Sequence, residues 1–176
     1  MKLTICLAAL VTVIALSQWC PMVWGDCPAM VIGSCSSGWK QWERACYMVN
    51  TGKANFEDAH KVCAKKGAVM AAPRSHAENE FLADLLKTGT ETTITASWVN
   101  CVTSSNATTS CKCYGDDQKA YYFTPTWKTD DPTGTEGENC VILHVRQDST
   151  YGKWSDTACD GSRVFACKRP AGQLHF

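Results

Sequence analysis

The stretch NFEDAHKVCAKKGAVMAAPRSHAENEFLADLL, residues 55–86, carries the clearest structural signal in this chain. Its first part predicts a helix from about Phe56 to Lys66, because Asn55 can cap the N-terminus and Gly67 can end the helix in a left-handed conformation. The apolar residues of this segment fall on one helical face: Phe56, Ala59, Val62 and Cys63. We therefore expect a cysteine that points into the core.

A second helix is predicted directly afterwards, in SHAENEFLADLLKTG, residues 75–89. Ser75 and Glu78 have the spacing of a capping box, in which each side chain accepts a hydrogen bond from the other residue's backbone N–H. The apolar stripe expected to face the core is Ala77, Phe81, Leu82, Leu85 and Leu86.

Beyond Gly89 the helical period is lost, and short strand-like pieces follow, separated by long polar segments. The pieces are SWV, AYYF, CVILHV, KWSD and RVFACK. Two helices followed by strands predict an α+β domain with small antiparallel sheets. The stretch between Val99 and Cys140 is much longer than an ordinary connection, which predicts a functional loop or one held by cross-links.

The N-terminus has the pattern of a secretory signal peptide, because Lys2 precedes an apolar run, Leu3–Leu16, that is short for a membrane span. Cleavage after Ser17 or after Gly25 would satisfy the small-residue rule. Cleavage after Gly25 is favoured because it leaves an even number of cysteines, ten of the twelve, and an uncleaved anchor is the alternative. The predicted organisation is a signal peptide at 1–25, one secreted domain at 26–170 and a short tail at 171–176.

The composition does not indicate a nucleic-acid-binding or membrane-spanning protein, and it favours a disulfide-linked secreted domain. The 17 basic and 17 acidic residues balance, which does not indicate a nucleic-acid partner, and no later apolar run is long enough to span a bilayer. Ten cysteines in a secreted chain predict disulfides before metal ligation. Asn106 begins an Asn-Ala-Thr acceptor sequon, so we expect a glycoprotein.

The segment TDDPTGTEGENC, residues 129–140, concentrates four carboxylates around a proline and two glycines: Asp130, Asp131, Glu136 and Glu138. Like charges at such density repel unless a cation lies among them or water screens them. A bound cation, a basic partner and a solvated acidic turn are therefore the three interpretations.

Taken together, the motifs resemble a C-type lectin-like domain over residues 35–168. CSSGWKQWERACY resembles the family's N-terminal hairpin, and residues 55–86 resemble its two-helix signature. SWVNC stands where the family shows a WIGL-like strand, and it departs after two residues. FTPTW with DDPT resembles the entry to the calcium loop, and ENCVILHV with GKWSDTACDGSRVFACK resembles the terminal strands.

The resemblance implies three disulfides: Cys35–Cys46, Cys63–Cys167 and Cys140–Cys159. It leaves Cys27, Cys101, Cys111 and Cys113, for which three pairings are open. It also implies one calcium site, with ligands carried over by position to Asp131, Thr133, Glu138, Ser155 and Asp156. Asp131 is one methylene shorter than the usual glutamate, and hydroxyls replace both usual amides, so the sugar class is left open.

The sequence therefore predicts a secreted lectin that binds glycans with calcium through the long loop and the WSD strand, in recognition of foreign or self surfaces. Trp127 lies beside this site and is a candidate for sugar stacking, although a core position is the favoured interpretation. The alternative is a calcium-independent module that binds a protein or another non-sugar surface. No nucleophile motif or zinc-protease motif is present, so no enzyme activity is expected, and an oligomer is possible.

Overall fold

The computed structural model describes residues 31–90, 94–103, 109–115 and 117–174. The predicted signal peptide, Cys27 and the sequon residue Asn106 lie outside the described residues.

Two helices and eleven strands make up the regular structure of these residues. The helices are α1 (Phe56–Ala64) and α2 (His76–Gly89). The strands are β1 (Val31–Ile32), β2 (Lys40–Trp42), β3 (Ala45–Ala54), β4 (Val69–Met70), β5 (Ala96–Val102), β6 (Cys111–Tyr114), β7 (Ala120–Phe123), β8 (Cys140–His144), β9 (Trp154–Thr157), β10 (Arg163–Pro170) and β11 (Gln173–Leu174). The predicted α+β class is confirmed.

The strands form one nine-stranded sheet and a two-stranded ribbon of β1 with β11. The main path of the large sheet is β2-β3-β10-β5-β6-β7, with β4 on β10 and with β8 on β5. The sheet is larger than the sequence suggested, and β5 and β10 pair in parallel, with Val164 opposite Ser97. Strand β9 pairs with β8, and this pair carries the residues of interest below.

Helix α1 begins and ends close to where its caps predict. The Asn55 side chain accepts a hydrogen bond from the Asp58 N–H at 2.8 Å, and Gly67 has φ +63°, the left-handed conformation that glycine adopts without steric cost. The helix ends at Ala64, two residues before the predicted end, and Cys63 is fully buried as expected.

One of the two hydrogen bonds of the predicted capping box is present at the start of helix α2. The Ser75 hydroxyl accepts from the Glu78 N–H at 3.1 Å, but the Glu78 carboxylate accepts from the Arg74 N–H, at 2.9 Å, instead of from Ser75. The predicted buried stripe is correct at Leu82 and Leu86 and wrong at Ala77, which is exposed. The inward face is rotated because Glu78 and Asn79 are buried and hydrogen-bonded.

The structure contains the three disulfides that the resemblance implies, Cys35–Cys46, Cys63–Cys167 and Cys140–Cys159. The pairing that the sequence left open is resolved in part, because Cys101 and Cys113 lie opposite each other on β5 and β6 and form a fourth disulfide. Cys111 keeps a free thiol, 4.0 Å from the Cys113 sulfur. Burial raises the pKa of the Cys111 thiol to about 12.

The core lies on both faces of the large sheet. Its largest buried side chains include Trp98, Trp154, Tyr47 and Phe165. Asn79 of α2 accepts a hydrogen bond from the Trp154 indole N–H at 2.7 Å, which fixes β9 against the helix. The segment before β8 folds over β9, and this is where the acidic residues lie.

Candidate functional site

The candidate site is formed by the loop that precedes β8 and by the strand β9. The loop is attached to this strand by backbone hydrogen bonds, because the Lys128 N–H donates to the Trp154 carbonyl at 2.9 Å and the Trp154 N–H donates to the Thr126 carbonyl at 3.0 Å. A turn follows, in which the Asp131 N–H donates to the Lys128 carbonyl at 3.0 Å. The Asp131–Pro132 peptide bond is cis.

The Asp156 carboxylate lies at the centre of the first half of the site. Its Oδ1 accepts from the Thr133 N–H at 2.9 Å, and its Oδ2 accepts from the Gly134 N–H at 3.0 Å and lies 3.1 Å from the Thr133 hydroxyl. Burial by itself would raise the pKa of this carboxyl. The hydrogen bonds from Thr133 and Gly134 outweigh burial and hold the Asp156 pKa below its ordinary value.

The Thr133 hydroxyl connects three other side chains. Its Oγ1 lies 3.0 Å from Glu138 Oε2, 3.1 Å from Asp156 Oδ2 and 2.8 Å from Thr135 Oγ1. A hydroxyl has one proton, so it can donate to only one of these oxygens at a time. Two carboxylates from separate parts of the chain therefore converge on a single hydroxyl group.

Asp131 and Ser155 form the second half of the site. The Ser155 hydroxyl donates to Asp131 Oδ2 at 3.0 Å, and Lys128 Nζ lies 3.1 Å from the same oxygen. The Asp131 side chain is only 7% exposed, so this carboxylate is held inside the loop rather than in solvent.

His144 lies behind Ser155, with Nε2 2.7 Å from the Ser155 oxygen. Because the serine proton points to Asp131, the histidine donates to the serine. Burial, with the Lys128 charge next, lowers the His144 pKa. This order differs from a catalytic triad, in which the histidine lies between the acid and the serine and accepts the serine proton.

The five predicted ligand residues lie in two neighbouring clusters, and Asp131, Glu138 and Asp156 do not bring one carboxylate oxygen each within 4.8 Å of one another. Thr133 and Asp156 form one cluster with Glu138, Asp131 and Ser155 form the other, and adjacent positions on β9 join them. Every side chain offers a hard oxygen donor, and this donor set fits calcium, which prefers carboxylate and hydroxyl oxygens. Lys128 Nζ already contacts Asp131 Oδ2, so a calcium ion at this site would meet the lysine at that oxygen.

A tighter cluster of metal-ligating atoms lies elsewhere. Within the described ranges, the one group of three histidine, cysteine or acidic ligand atoms gathered within 4.8 Å of one another is Cys101, Cys111 and Cys113. Two of these sulfurs are joined in the disulfide, so the group is a disulfide with a neighbouring thiol rather than three free thiolates.

Trp127 packs against the core beside the site. Its ring is perpendicular to that of Trp154, with centroids 6.4 Å apart, and its indole N–H donates to the Thr109 carbonyl at 2.7 Å. Trp154 is fully buried and Trp127 is half-buried. The packing of Trp127 explains its position, and its contact with a sugar stays a prediction.

Four contributing residues were not predicted from sequence: Lys128, Gly134, Thr135 and His144. Lys128 could have been found from its position three residues before Asp131, within reach of a turn. The Gly134 contribution is a backbone N–H, which no side-chain pattern signals.

The profile of the Lectin C-type domain family matches residues 52–169. The chain therefore belongs to the C-type lectin domain family, and the fold resemblance inferred from the sequence is confirmed.

Among curated relatives, human C-type lectin domain family 3 member A is 29% identical over 125 residues, which cover 71% of this chain and 59% of that protein. The chain thus spans less than two thirds of this relative. The type-2 ice-structuring protein of Osmerus mordax is 27% identical over 138 residues, covering 78% of this chain and 72% of that protein.

Among solved structures, the C-type lectin domain of murine dendritic cell inhibitory receptor 2, in complex with N-glycan, aligns with a TM-score of 0.62 at 23% identity. The alignment covers 78% of this chain and 99% of that one. A calcium-independent type II antifreeze protein aligns with a TM-score of 0.63 at 18% identity, over 84% of this chain and 100% of that one. At these identities the likeness shows the fold alone.

The helices of the described residues include none long and apolar enough to cross a membrane.

Proposed function

We propose that this domain binds glycans at the face formed by the loop from Asp131 to Glu138 and by β9, with the help of one calcium ion. The observation that carries the proposal is the convergence of the Glu138 and Asp156 carboxylates on the Thr133 hydroxyl, beside the Asp131–Ser155 pair. Asp131 and Glu138 of one loop and Asp156 of β9 lie at neighbouring positions, where a divalent cation would lower their mutual repulsion.

The calcium ion would be held by Asp131, Thr133, Glu138, Ser155 and Asp156. When bound, calcium supplies a hard cation that accepts further oxygen ligands, among them the hydroxyls of a sugar. The chain's own contribution is to hold three carboxylates in place before binding. The Thr133 and Gly134 N–H groups donate to Asp156, the Thr133 hydroxyl contacts Glu138, and the Ser155 hydroxyl donates to Asp131. Membership of the C-type lectin domain family supports a glycan as ligand, and the murine dendritic cell receptor domain shows this fold in complex with N-glycan.

The protein is further proposed to act outside the cell, because four disulfides close the described part of the domain and such cross-links persist in oxidising compartments. The signal peptide at 1–25 and a glycan on Asn106 belong to this proposal. One sugar bound in an open site contributes little affinity, so clustered glycans or an oligomer would be needed for avidity.

The test combines metal removal with glycan binding. Adding calcium to ten times its dissociation constant should stabilise the chelated protein by about 1.4 kcal/mol, and glycan-array binding should vanish with chelator. Asp156→Asn should abolish the array signal. The change removes one negative charge from the proposed calcium ligands, and it removes one of the two oxygens that accept hydrogen bonds from the Thr133 and Gly134 N–H groups. Asp160→Asn is the matched control on an exposed turn and should bind like the wild type.

A second candidate function is calcium-independent recognition of a protein or other surface. One observation favours it: Lys128 and the amides of Thr133 and Gly134 already neutralise or solvate Asp131 and Asp156 without a metal. The similarity to a calcium-independent antifreeze protein shows that this fold exists without the ion. Glycan binding that persists in chelator would remove calcium from the mechanism, and the absence of binding to any glycan would favour this second function.

A further inference from the structure

Lys128 has a position in the loop that is fixed by the backbone on both sides. Its N–H donates to the Trp154 carbonyl at 2.9 Å, and its carbonyl accepts from the Asp131 N–H at 3.0 Å. The preceding residue, Trp127, bridges to Trp154 as well. The backbone of Lys128 is therefore fixed on β9, and a single turn separates it from Asp131.

The Lys128 ammonium uses this position to contact Asp131. Nζ lies 3.1 Å from Asp131 Oδ2, the same oxygen that accepts from Ser155. The Asp131 side chain is 7% exposed and that of Lys128 is 43% exposed. The carboxylate is thus largely removed from water, while the lysine stem retains a path to solvent.

An ion pair with one largely buried partner is screened less than an exposed pair. Without Lys128, Asp131 would be a largely buried anion supported by one serine hydroxyl, close to the Glu138 and Asp156 cluster. With Lys128, one of the three negative charges of the site is already compensated by a cation that belongs to the chain.

We propose that Lys128 is a tethered counter-cation that competes with calcium for Asp131 and so regulates the metal dependence of the site. The inference rests on the proposed function, because it assigns the competitor at the same site. When calcium is absent, Lys128 keeps Asp131 neutralised and the loop assembled. When calcium binds, the ammonium must leave Oδ2 for solvent, since two cations cannot share one oxygen without repulsion.

The test replaces the charge and keeps the apolar stem. Lys128→Met should bind calcium about tenfold more tightly in titration calorimetry, because calcium then binds Asp131 without displacing a partly screened ammonium. Its melting temperature in chelator should fall below that of the wild type. Lys128→Arg keeps the charge and should resemble the wild type, and Lys66→Met is the control for loss of an exposed lysine elsewhere.

The outcomes separate this inference from the proposed function. If the wild type binds calcium and Lys128→Met binds it with the same affinity, the proposed competition is wrong, whereas the proposed calcium site is not contradicted. If neither protein binds calcium, the calcium part of the proposed function fails, and the chelated melting temperatures decide whether Lys128 supports Asp131. A Lys128→Met protein that melts like Lys66→Met in chelator overturns the counter-cation altogether.

Discussion

Replacing Lys168 by methionine should be among the most destabilising single changes in the described domain. Lys168 of β10 contacts Glu78 of α2, with Nζ 2.8 Å from Oε1, and both side chains are buried, at 7% and 2% exposure. Glu78 also accepts from the Tyr47 hydroxyl and from the Arg74 N–H. The pair therefore ties the second helix to the sheet, and the next residue, Asn79, holds Trp154 beside the candidate site.

The expected loss follows from the charge that is left behind. Methionine preserves most of the stem volume, so the main effect is that Glu78 keeps a buried negative charge with two neutral donors and no cation. Breaking a buried pair in this way costs about 3–5 kcal/mol of unfolding free energy. For a domain of this size the melting temperature should fall on the order of 10 °C.

The assay is urea denaturation without reductant, with the free energy of unfolding obtained by linear extrapolation. Lys61→Met is the matched control, because Lys61 makes an equally short contact of 2.9 Å with Glu57 on an exposed helical surface. Exposed pairs contribute little, so this control should be indistinguishable from wild type. A Lys168→Met protein as stable as Lys61→Met would refute the reasoning. Adding Glu78→Gln to Lys168→Met should recover part of the loss, since the buried charge is then removed.

Two further predictions concern the core beside the site. The Cys111 thiol, whose pKa burial raises to about 12, should resist iodoacetamide at pH 8 in the folded protein and react only after unfolding, as measured by mass mapping of its peptide; rapid labelling in the native state would contradict its burial. Asn79→Ala should cost about 1–3 kcal/mol in the same urea assay, because the buried Trp154 indole N–H loses its acceptor, and a loss below about 0.5 kcal/mol would show that another acceptor replaces it.

The local features of the fold were predictable because they depend on neighbours in sequence. Asn55 and Ser75 cap their helices as predicted, since a capping side chain reaches only three residues ahead. Gly67 has the predicted left-handed conformation, because the end of a helix is also a local feature and glycine adopts a positive φ without steric cost. The strand-like pieces became β5, β7, β8, β9 and β10, because their aromatic and β-branched residues fit a pleated, half-buried surface.

The inward face of α2 was predicted less well. Hydrophobicity alone places Ala77 in the core and Glu78 outside, whereas Glu78 is buried and Ala77 exposed. A carboxylate becomes favourable inside only when a cation and donors meet it there, and Lys168 comes from a strand ninety residues further along the chain. Propensity and periodicity contain no information about that partner.

The candidate site divides in the same way. By resemblance the sequence assigned a ligand role to Asp131, Thr133, Glu138, Ser155 and Asp156, which stays a prediction, and it indicated that crowded acids need compensation. Only the tertiary structure decided what compensates them, because the Thr133 and Gly134 amides and the Lys128 ammonium reach these oxygens through the fold of the loop onto β9. It likewise decided that Cys101 pairs with Cys113 and leaves Cys111 as a thiol, since sulfur distances across two strands depend on their register, and register is a property of the assembled sheet.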